Sequence, residues 1–424
     1  MKTVLASAFI ASIAISGTVK AQDVVFLSTQ FRPVEEAQKV RSVLLKNAPH
    51  KVDFVGEDDS LMVTRAIAEK EGKKVSVALY GALHGQMAPM VAAGVMKPVD
   101  DIIGKLDGVQ FDKALIDLGK FGTDKQYFVP WMQATFIMVA HKDALKQLPP
   151  GADLSKLTYT QLIEWGRNLE KATGKKQIGL PAGPKGLLHR FLQGYTLPAY
   201  SGSALKKWRS PDAQKMWADL KALWSVTNPA STNYGFMNEP LMAGDVMVAW
   251  DHVARLLPAL SDMPTDFVAF PAPAGPKGRA FMPVLAGFSL PEGGPAAEKA
   301  VDVMRHLLSP KIQAATLVET GFFPVVKMDL PSDLPAGVRN AAGAITAMQG
   351  SADALPALIP AGLGSKNGEF NKVFFDTFTQ IVVQNQDISK VLDDSIKILN
   401  SIVAETKAPC WAPDPAGSAP CMLD

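Results

Sequence analysis

The sequence predicts an α/β protein in which parallel sheets are flanked by helices. Short apolar runs at residues 24–27, 52–55 and 75–79 alternate with segments whose apolar residues recur at helical spacing. This order requires crossover connections and therefore parallel strand pairing. A chain of 424 residues, 47% of them apolar, also suggests two domains or one unusually large core.

The ends of these first strands predict where a ligand binds. Pro33 suits a first helical turn, and Asp59 or Ser60 is placed to cap a helix that runs through Ile67. In parallel α/β sheets, ligands bind beyond the carboxyl ends of the strands. Residues 29–31, 58–59 and 80–84 are therefore expected at a ligand edge.

The rest of the chain is predicted to hold further strands and many helices. Residues 126–131 and 134–140 are expected to be two strands of the same half, and residues 246–250 form another strand. Thr158 with Gln161 makes a capping box, and Ser210 followed by Pro211 opens a further helix. Residues 270–278, rich in Pro and Gly, are a connection. Helices are also predicted at residues 295–308, 310–320, 371–384 and 388–407, the last capped by Asp387.

Residues 1–21 have the features of a cleaved export signal. Lys2 supplies a positive start, and an apolar run of about 12 residues follows, which is short of the ~20 that a bilayer span needs. Small residues precede the expected cleavage between Ala21 and Gln22, and no cysteine stands there to carry a lipid. The mature chain is therefore expected to lie outside the cytoplasm without a membrane anchor.

Charge and cysteine usage fit an exported protein. The net charge is +2 and no long block of Lys or Arg is present, which argues against nucleic acid as a partner. Cys410 and Cys421 are the two cysteines of the chain, and in an oxidising compartment such a pair predicts one disulfide that staples the tail. A redox centre would normally use closer spacing.

No pattern of catalysis stands out in the sequence. The zinc-protease, nucleophile-elbow and phosphate-loop motifs are missing, and Pro291 replaces the second glycine in the one segment that is similar to an elbow. The six histidines lack metal-ligand spacing, so neither a metal nor a cofactor is expected. We therefore predict that the chain is not an enzyme. An exported glycosidase or lyase is the alternative from that class.

Aromatic, amide and acidic side chains instead cluster at predicted strand ends. Trp131 is followed by Gln133, and Trp250 by Asp251, His252 and, one turn later, Arg255. A sugar site needs aromatic platforms for C–H faces and planar groups for hydroxyls, which these residues supply. Packing in a core is the alternative role for both tryptophans. Trp250 in particular continues the alternation of Val246 and Val248.

An ordered series of motifs resembles one family. Residues 127–131 running into 136–143 resemble the Y-x-x-P-W … Y-N-K-D crossover segment of family 1 extracellular solute-binding proteins, the group that includes maltose-binding protein. Residues 239–250 are similar to its F-x-x-G-x-x-A-M segment, and residues 285–291, 296–300, 307–313 and 321–324 to its C-terminal signature. Departures include Ala140 and His141, where the family usually has Tyr and Asn.

The resemblance implies a two-lobed periplasmic-binding-protein fold of type II. Each lobe is a sheet flanked by helices, and both lobes are discontinuous and joined by hinge crossings. The expected first lobe is residues 22–140 plus 288–349. The second is residues 141–287 plus 350–424, with the tail 408–424 closed by the disulfide.

The resemblance also implies a function and a set of ligand-binding residues. The protein is expected to be the monomeric periplasmic component of an ABC importer, binding a sugar or sugar derivative between its lobes for an inner-membrane permease and its ATPase. Trp131 would stack on a sugar ring, and Asp251 with Arg255 would take hydroxyls. The full expected set is Gln30, Phe31, Asp59, His84, Trp131, Gln133, Trp250, Asp251, His252, Arg255, Gly287 and Phe288. A phosphorylated polyol or other charged solute, held by Arg32, Arg255 or Arg279, is the alternative ligand.

Overall fold

The computed structural model describes residues 24–30, 34–106, 108–111, 113–121, 123–415 and 419–424. The predicted export signal, Phe31 and Arg32 lie outside these residues. Within them, no helix combines the length and the apolar character that a membrane crossing requires.

The described part of the chain contains twelve strands and sixteen α-helices, besides short 3-10 and π-helical segments. The strands are β1 (Val24–Ser28), β2 (Val52–Gly56), β3 (Leu79–Leu83), β4 (Met96–Lys97), β5 (Val129–Ala134), β6 (Phe136–His141), β7 (Ile178–Gly179), β8 (Val248–His252), β9 (Phe267–Phe270), β10 (Arg279–Phe281), β11 (Val284–Pro291) and β12 (Ala354–Pro356). The helices are α1 (Val34–Lys39), α2 (Asp59–Glu71), α3 (His84–Ala92), α4 (Asp100–Ile103), α5 (Lys113–Leu118), α6 (Tyr159–Thr173), α7 (Leu188–Phe191), α8 (Leu197–Ser201), α9 (Pro211–Ser225), α10 (Asn238–Met242), α11 (Val253–Asp262), α12 (Ala297–Leu307), α13 (Pro310–Thr320), α14 (Ala336–Gln349), α15 (Asn367–Phe378) and α16 (Ile388–Thr406).

The first sheet has the order β2-β1-β3-β11-β4, with β5 paired to β11. Strand β1 pairs in parallel with β2 and β3, as the crossover argument predicts, and β11 runs antiparallel to β3 and β5. Strand β3 begins at Leu79, where the prediction had the strand end. Residues 80–83 therefore lie inside the strand, because the ladder to β1 starts only at Leu79.

The second sheet has the order β7-β8-β6-β9. Strand β6 pairs with β8 and β9, so β5 and β6 belong to different sheets although they are separated only by Thr135. The expectation that these two strands share one half is therefore corrected. Strands β5 and β6 are both apolar, so their own sequences do not show which sheet each one joins. Their partners are set by contacts with residues far away in sequence.

Two expected lobe boundaries also differ from the pairing in the structure. The chain leaves the first sheet after Ala134, before the expected residue 140, and re-enters it at Val284. Helix α14, expected in the first lobe, packs on the second sheet. The side chain of Asn340 accepts the N–H of Ala269 at 3.0 Å and donates to the carbonyl of Phe267 at 3.2 Å.

The expected cap of α2 is wrong, because the helix already begins at Asp59 and its N-cap residue is Asp58. The other three predicted caps are confirmed. Thr158 and Gln161 form the capping box of α6, the side chain of Ser210 accepts the N–H of Ala213 at the start of α9, and Asp387 accepts the N–H of Lys390 at the start of α16. The predicted disulfide between Cys410 and Cys421 is formed.

Candidate functional site: a cleft between the two lobes

Three chain crossings lie side by side between the two sheets. Thr135 joins β5 to β6, and its hydroxyl donates to the carbonyl of Met282 in the second crossing at 3.0 Å. The third crossing follows α13, where Phe323 and Gln133 exchange backbone hydrogen bonds. Because the first crossing bonds to both of the others, the three crossings form one hinge between the lobes.

A cleft of about 270 Å³ lies between the lobes. Its first-lobe side is formed by the N-terminal turns of α2 and α3, and its second-lobe side by α7 and by residues 359–367. We call residues 358–367 the cleft wall. The lining residues are Asp59, Ser60, Val63, Thr64, Leu83, Gly85, Gln86, Pro89, Arg190, Ile359, Pro360, Gly362, Leu363, Gly364, Ser365 and Asn367.

Amide side chains are held in place at the first-lobe side. The Oε1 atom of Gln86 accepts the hydroxyl of Thr29 at 2.7 Å and the N–H of Leu83 at 3.0 Å. Gln30 in turn donates to the Thr29 hydroxyl at 3.1 Å and is nearly buried. This network orders the carboxyl ends of β1 and β3 and leaves the amide nitrogen of Gln86 as a donor at the cleft.

Arg190 is the cation of the second-lobe side. Its guanidinium donates to Oε1 of Gln193 at 2.8 Å, and Gln193 donates to Asn371 at 2.9 Å, so the side chain is oriented by two neighbouring helices. Burial lowers the pKa of Arg190 to about 10, which still leaves it charged at neutral pH. Among the carboxylates in the described ranges, none forms an ion pair with it. A solute can therefore accept hydrogen bonds from this group.

Asp59, one of the expected site residues, lines the cleft. It is half-buried at the start of α2, and its carboxylate accepts the N–H of Ser60 at 2.8 Å. With Gln86 and Arg190, it supplies an acceptor, an amide and a planar cation on opposite sides of one cleft.

Trp131, Gly287 and Phe288 lie in the interior of the first lobe. The indole of Trp131 is fully buried and stacks on Phe288 with ring centres 5.0 Å apart. A Cβ atom on Gly287 would collide with the ring of Phe128. These three residues form a packed core and present no face to a solute, so we do not carry them into the proposed site.

Trp250, Asp251 and Arg255 are likewise engaged within the second lobe. Trp250 is fully buried and lies parallel to Phe136 at 4.8 Å. The buried carboxylate of Asp251 accepts the N–H groups of Met237 at 3.0 Å and His252 at 2.7 Å, and burial raises its pKa to about 7. Arg255 lies 4.0 Å from Asp251 and donates to the carbonyl of Gly235 at 2.8 Å. Together they brace the loop before α10.

The two expected histidines pack against aromatic rings. His84 stacks on Phe121 at 4.5 Å, and its Nε2 lies 2.7 Å from the carbonyl of Leu118. His252 meets Phe136 edge-on at 5.1 Å. Burial lowers the pKa of His84, and burial lowers that of His252 to about 3, so both rings are neutral at pH 7. Within the ranges that the structure describes, no group of three or more potential ligands is arranged to hold a metal ion.

Gln133 lies beside the hinge. It donates to the carbonyl of Pro324 at 2.8 Å and lines a second, mostly apolar cavity of about 500 Å³ with residues of both lobes, among them Leu118, Phe281 and Leu358. Arg279, a candidate anion partner, is buried and donates to the carbonyl of Ala272. It is therefore unavailable to a solute in the cleft.

Sequence reasoning missed Gln86, Arg190 and the cleft wall. Arg190 lies in the helix that follows β7. Because β7 is only two residues long, the sequence shows no strand pattern whose carboxyl end would have pointed to Arg190. The wall carries one usable signal, the turn-forming sequence Pro360-Ala-Gly-Leu-Gly364 ahead of a helix.

Comparison with known families decides the class of protein. Residues 45–314 match the model of the family described as bacterial extracellular solute-binding protein. The chain belongs to this family. Its members bind solutes outside the cytoplasm, and the cleft between two hinged lobes is the part of this solute-binding protein suited to that task.

Solved structures show the same two-lobed fold. UgpB from Mycobacterium tuberculosis, in complex with glycerophosphocholine, superposes with a TM-score of 0.67 at 17% identity, covering 90% of this chain and 98% of that one. The sugar-binding protein MalE from Xanthomonas citri gives 0.70 at 13% identity, covering 90% and 97%. Maltose-bound MalE3 from T. maritima gives 0.66 at 15%, covering 89% and 98%. None of the curated proteins matches the sequence.

Proposed function

We propose that this solute-binding protein takes a sugar or sugar derivative into the cleft between its lobes and delivers it to an inner-membrane ABC permease and its ATPase. It would act as a monomer in the periplasm after removal of residues 1–21. The observation that carries the proposal is the lining of the cleft, in which Asp59 and Gln86 from the first lobe face Arg190 and the cleft wall from the second.

The chemistry of the lining suits a polyhydroxylated solute. Carboxylate, amide and guanidinium groups each form two or more hydrogen bonds in a plane, which matches vicinal hydroxyls. Val63, Leu83, Ile359 and Leu363 offer apolar contact to C–H faces. The solved relatives named above include proteins that bind maltose and other sugars, which supports the same class of solute.

Closure of the lobes would follow from contacts to both sides. A ligand shifts an equilibrium only by its differential affinity for the two states. A solute held by Asp59 and Gln86 alone would bind the open and closed forms equally. Contacts to Arg190 and the wall are made only when the lobes approach, so they select the closed form, which is the form that we expect a permease to recognise.

A charged solute, such as a phosphorylated polyol, is the second candidate. Arg190 favours it, since this guanidinium has no carboxylate partner among the described residues and lies in the cleft. UgpB, with its bound glycerophosphocholine, has the same fold. Arg255 and Arg279, the partners first expected for an anion, are engaged elsewhere.

We propose no catalytic activity. Release of products from a sugar polymer by the purified protein would favour the glycosidase or lyase alternative.

A thermal-shift screen tests the proposal and separates the two ligand classes. The purified protein is heated with mono- and oligosaccharides, polyols and their phosphates, because a ligand specific to the folded state raises the melting temperature. We expect a shift with at least one neutral sugar, abolished in Arg190→Gln and Asp59→Asn but kept in the control Arg209→Gln, whose exposed side chain pairs with Asp393 outside the cleft. Shifts with phosphates only, lost at high salt, would favour the charged solute instead.

A further inference from the structure

The C-terminal tail is anchored to the second lobe by a buried carboxylate. Its ring is closed by Cys410 and Cys421, and the N–H of Cys421 donates to the carbonyl of Ala408 at 2.8 Å. Asp414, inside the ring, is 6% exposed. It accepts the hydroxyl of Ser203 at 2.6 Å and the N–H groups of Leu205 at 2.7 Å and Lys206 at 3.1 Å. A buried charge with three donors has one favourable position, so the tail is fixed.

The same tail bonds to the cleft wall. The N–H of Leu358, the first wall residue, donates to the carbonyl of Ala412 at 2.9 Å. A Cβ atom on Gly362 would lie 3.0 Å from Cδ of Pro409, so the tail passes directly behind the wall at that point. Trp411 packs on Phe370, in the helix that follows the wall, with ring centres 5.8 Å apart.

The wall has little regular structure of its own. Residues 357–363 lie in neither helix nor strand. Ala357 donates to the carbonyl of Phe281, and the next N–H, that of Leu358, goes to the tail. Ile359, Gly362 and Leu363 then face the cleft. A coil segment without its own ladder takes its conformation from what it packs against, and here this is the disulfide-closed tail.

We propose that residues 408–415, held by the disulfide and by Asp414, are the positioning element of the cleft wall. Opening the ring frees Ala412 from the wall and Trp411 from the helix that follows the wall, so the wall loses its fixed place on the second-lobe side of the cleft. The inference that solute affinity then falls rests on the proposed function. The inference that the wall itself loosens does not depend on it.

Hydrogen exchange on the solute-free full chain tests the positioning role. In the double variant Cys410→Ser with Cys421→Ser, we expect amides of residues 357–366 to exchange at least tenfold faster, while those of α6 keep their rate. Asp414→Asn, which keeps the ring but weakens its anchor, should show the same pattern to a smaller degree and serves if the double variant fails to fold. Wall exchange that stays unchanged in both variants would overturn the proposal.

Affinity supplies the second readout, with maltose and glycerol 3-phosphate as probes. For whichever probe binds the unmodified protein, the double variant should bind at least fivefold more weakly. Thr158→Ala, which removes a helix cap in the same lobe without touching the wall, is the control and should keep the affinity. Equal weakening in the control would make the effect one of general stability and would count against the tail. If neither probe binds the unmodified protein, the exchange result alone decides the positioning role, and the proposed solute classes must be reconsidered separately.

Discussion

The hydroxyl groups of Thr135 and Tyr195 lie 3.0 Å apart at the point where the chain first passes from one sheet to the other. The Tyr195 hydroxyl also accepts the N–H of Phe136 at 3.0 Å. Both groups are buried. A tyrosine of the second lobe therefore holds the hinge crossing in register, and this cluster lies where the proposed closing movement of the lobes would take place.

Replacing Tyr195 with Phe should lower the free energy of unfolding by about 1–3 kcal/mol, because the N–H of Phe136 then remains buried without this partner. Urea denaturation followed by fluorescence measures the change. Tyr127→Phe is the control, since the Tyr127 hydroxyl forms no hydrogen bond with the described residues, and it should alter stability by less than about 0.5 kcal/mol. Equal effects in the two variants would contradict a specific role for the hinge hydroxyl.

Trp131→Ala should act on stability. The side chain is fully buried between Phe26 and Phe288, and removing such a ring costs about 3–5 kcal/mol. Denaturation curves together with calorimetry on the folded fraction separate the two roles of this residue. Stability close to that of the unmodified protein, with affinity reduced tenfold, would restore the stacking role that the sequence suggests.

Gly287 and Gly343 form a matched pair for substitution by alanine. A Cβ atom on Gly287 would meet the ring of Phe128, whereas one on Gly343, in the middle of α14, has open space around it. Overpacking at position 287 should cost about 1–3 kcal/mol, and alanine at position 343 should stabilise by about 0.5–1 kcal/mol. If the melting temperatures of the two variants move in the same direction, the described difference in packing between positions 287 and 343 is wrong.

His189 should make the protein less stable in acid. Burial, helped by the positive charges of Arg190 and Arg255, lowers its pKa from 6.5 to about 3, and its Nδ1 atom has no partner in the described structure. The unfolded chain binds a proton below about pH 6.5 while the folded chain does not. The contribution of neutral His189 to the free energy of unfolding is therefore fully present above pH 6.5 and is lost as the pH falls toward 3.

A substitution isolates this contribution. His189→Leu has no titrating ring, so its stability relative to the unmodified protein should rise between pH 7.5 and pH 5, by at most about 1.4 kcal/mol per pH unit below 6.5. Urea midpoints at the two pH values give the difference. A relative stability that is independent of pH would mean that folding leaves the pKa of His189 unshifted.

Much of the local structure could be read from the sequence. Caps such as Thr158 and Asp387 act within one helical turn, and the pairing of Cys410 with Cys421 joins residues only eleven apart. The ordered motifs identified the family for the same reason, since each is a short run of neighbours. The lobe boundaries were harder to predict, because nothing in the sequence of residues 136–140 or of α14 indicates which sheet these segments pack against.

The candidate site depended on the tertiary structure. Asp59 could be placed at the cleft from its position after β2, but a tryptophan at a strand end can face either the core or the solvent, and Trp131 and Trp250 both face the core. Arg190 and the cleft wall come from segments far apart in sequence. The sequence by itself therefore determined the class of fold, the caps, the disulfide and the family. Packing between distant segments decided which side chains remain exposed in the cleft, because burial depends on partners that no local pattern records.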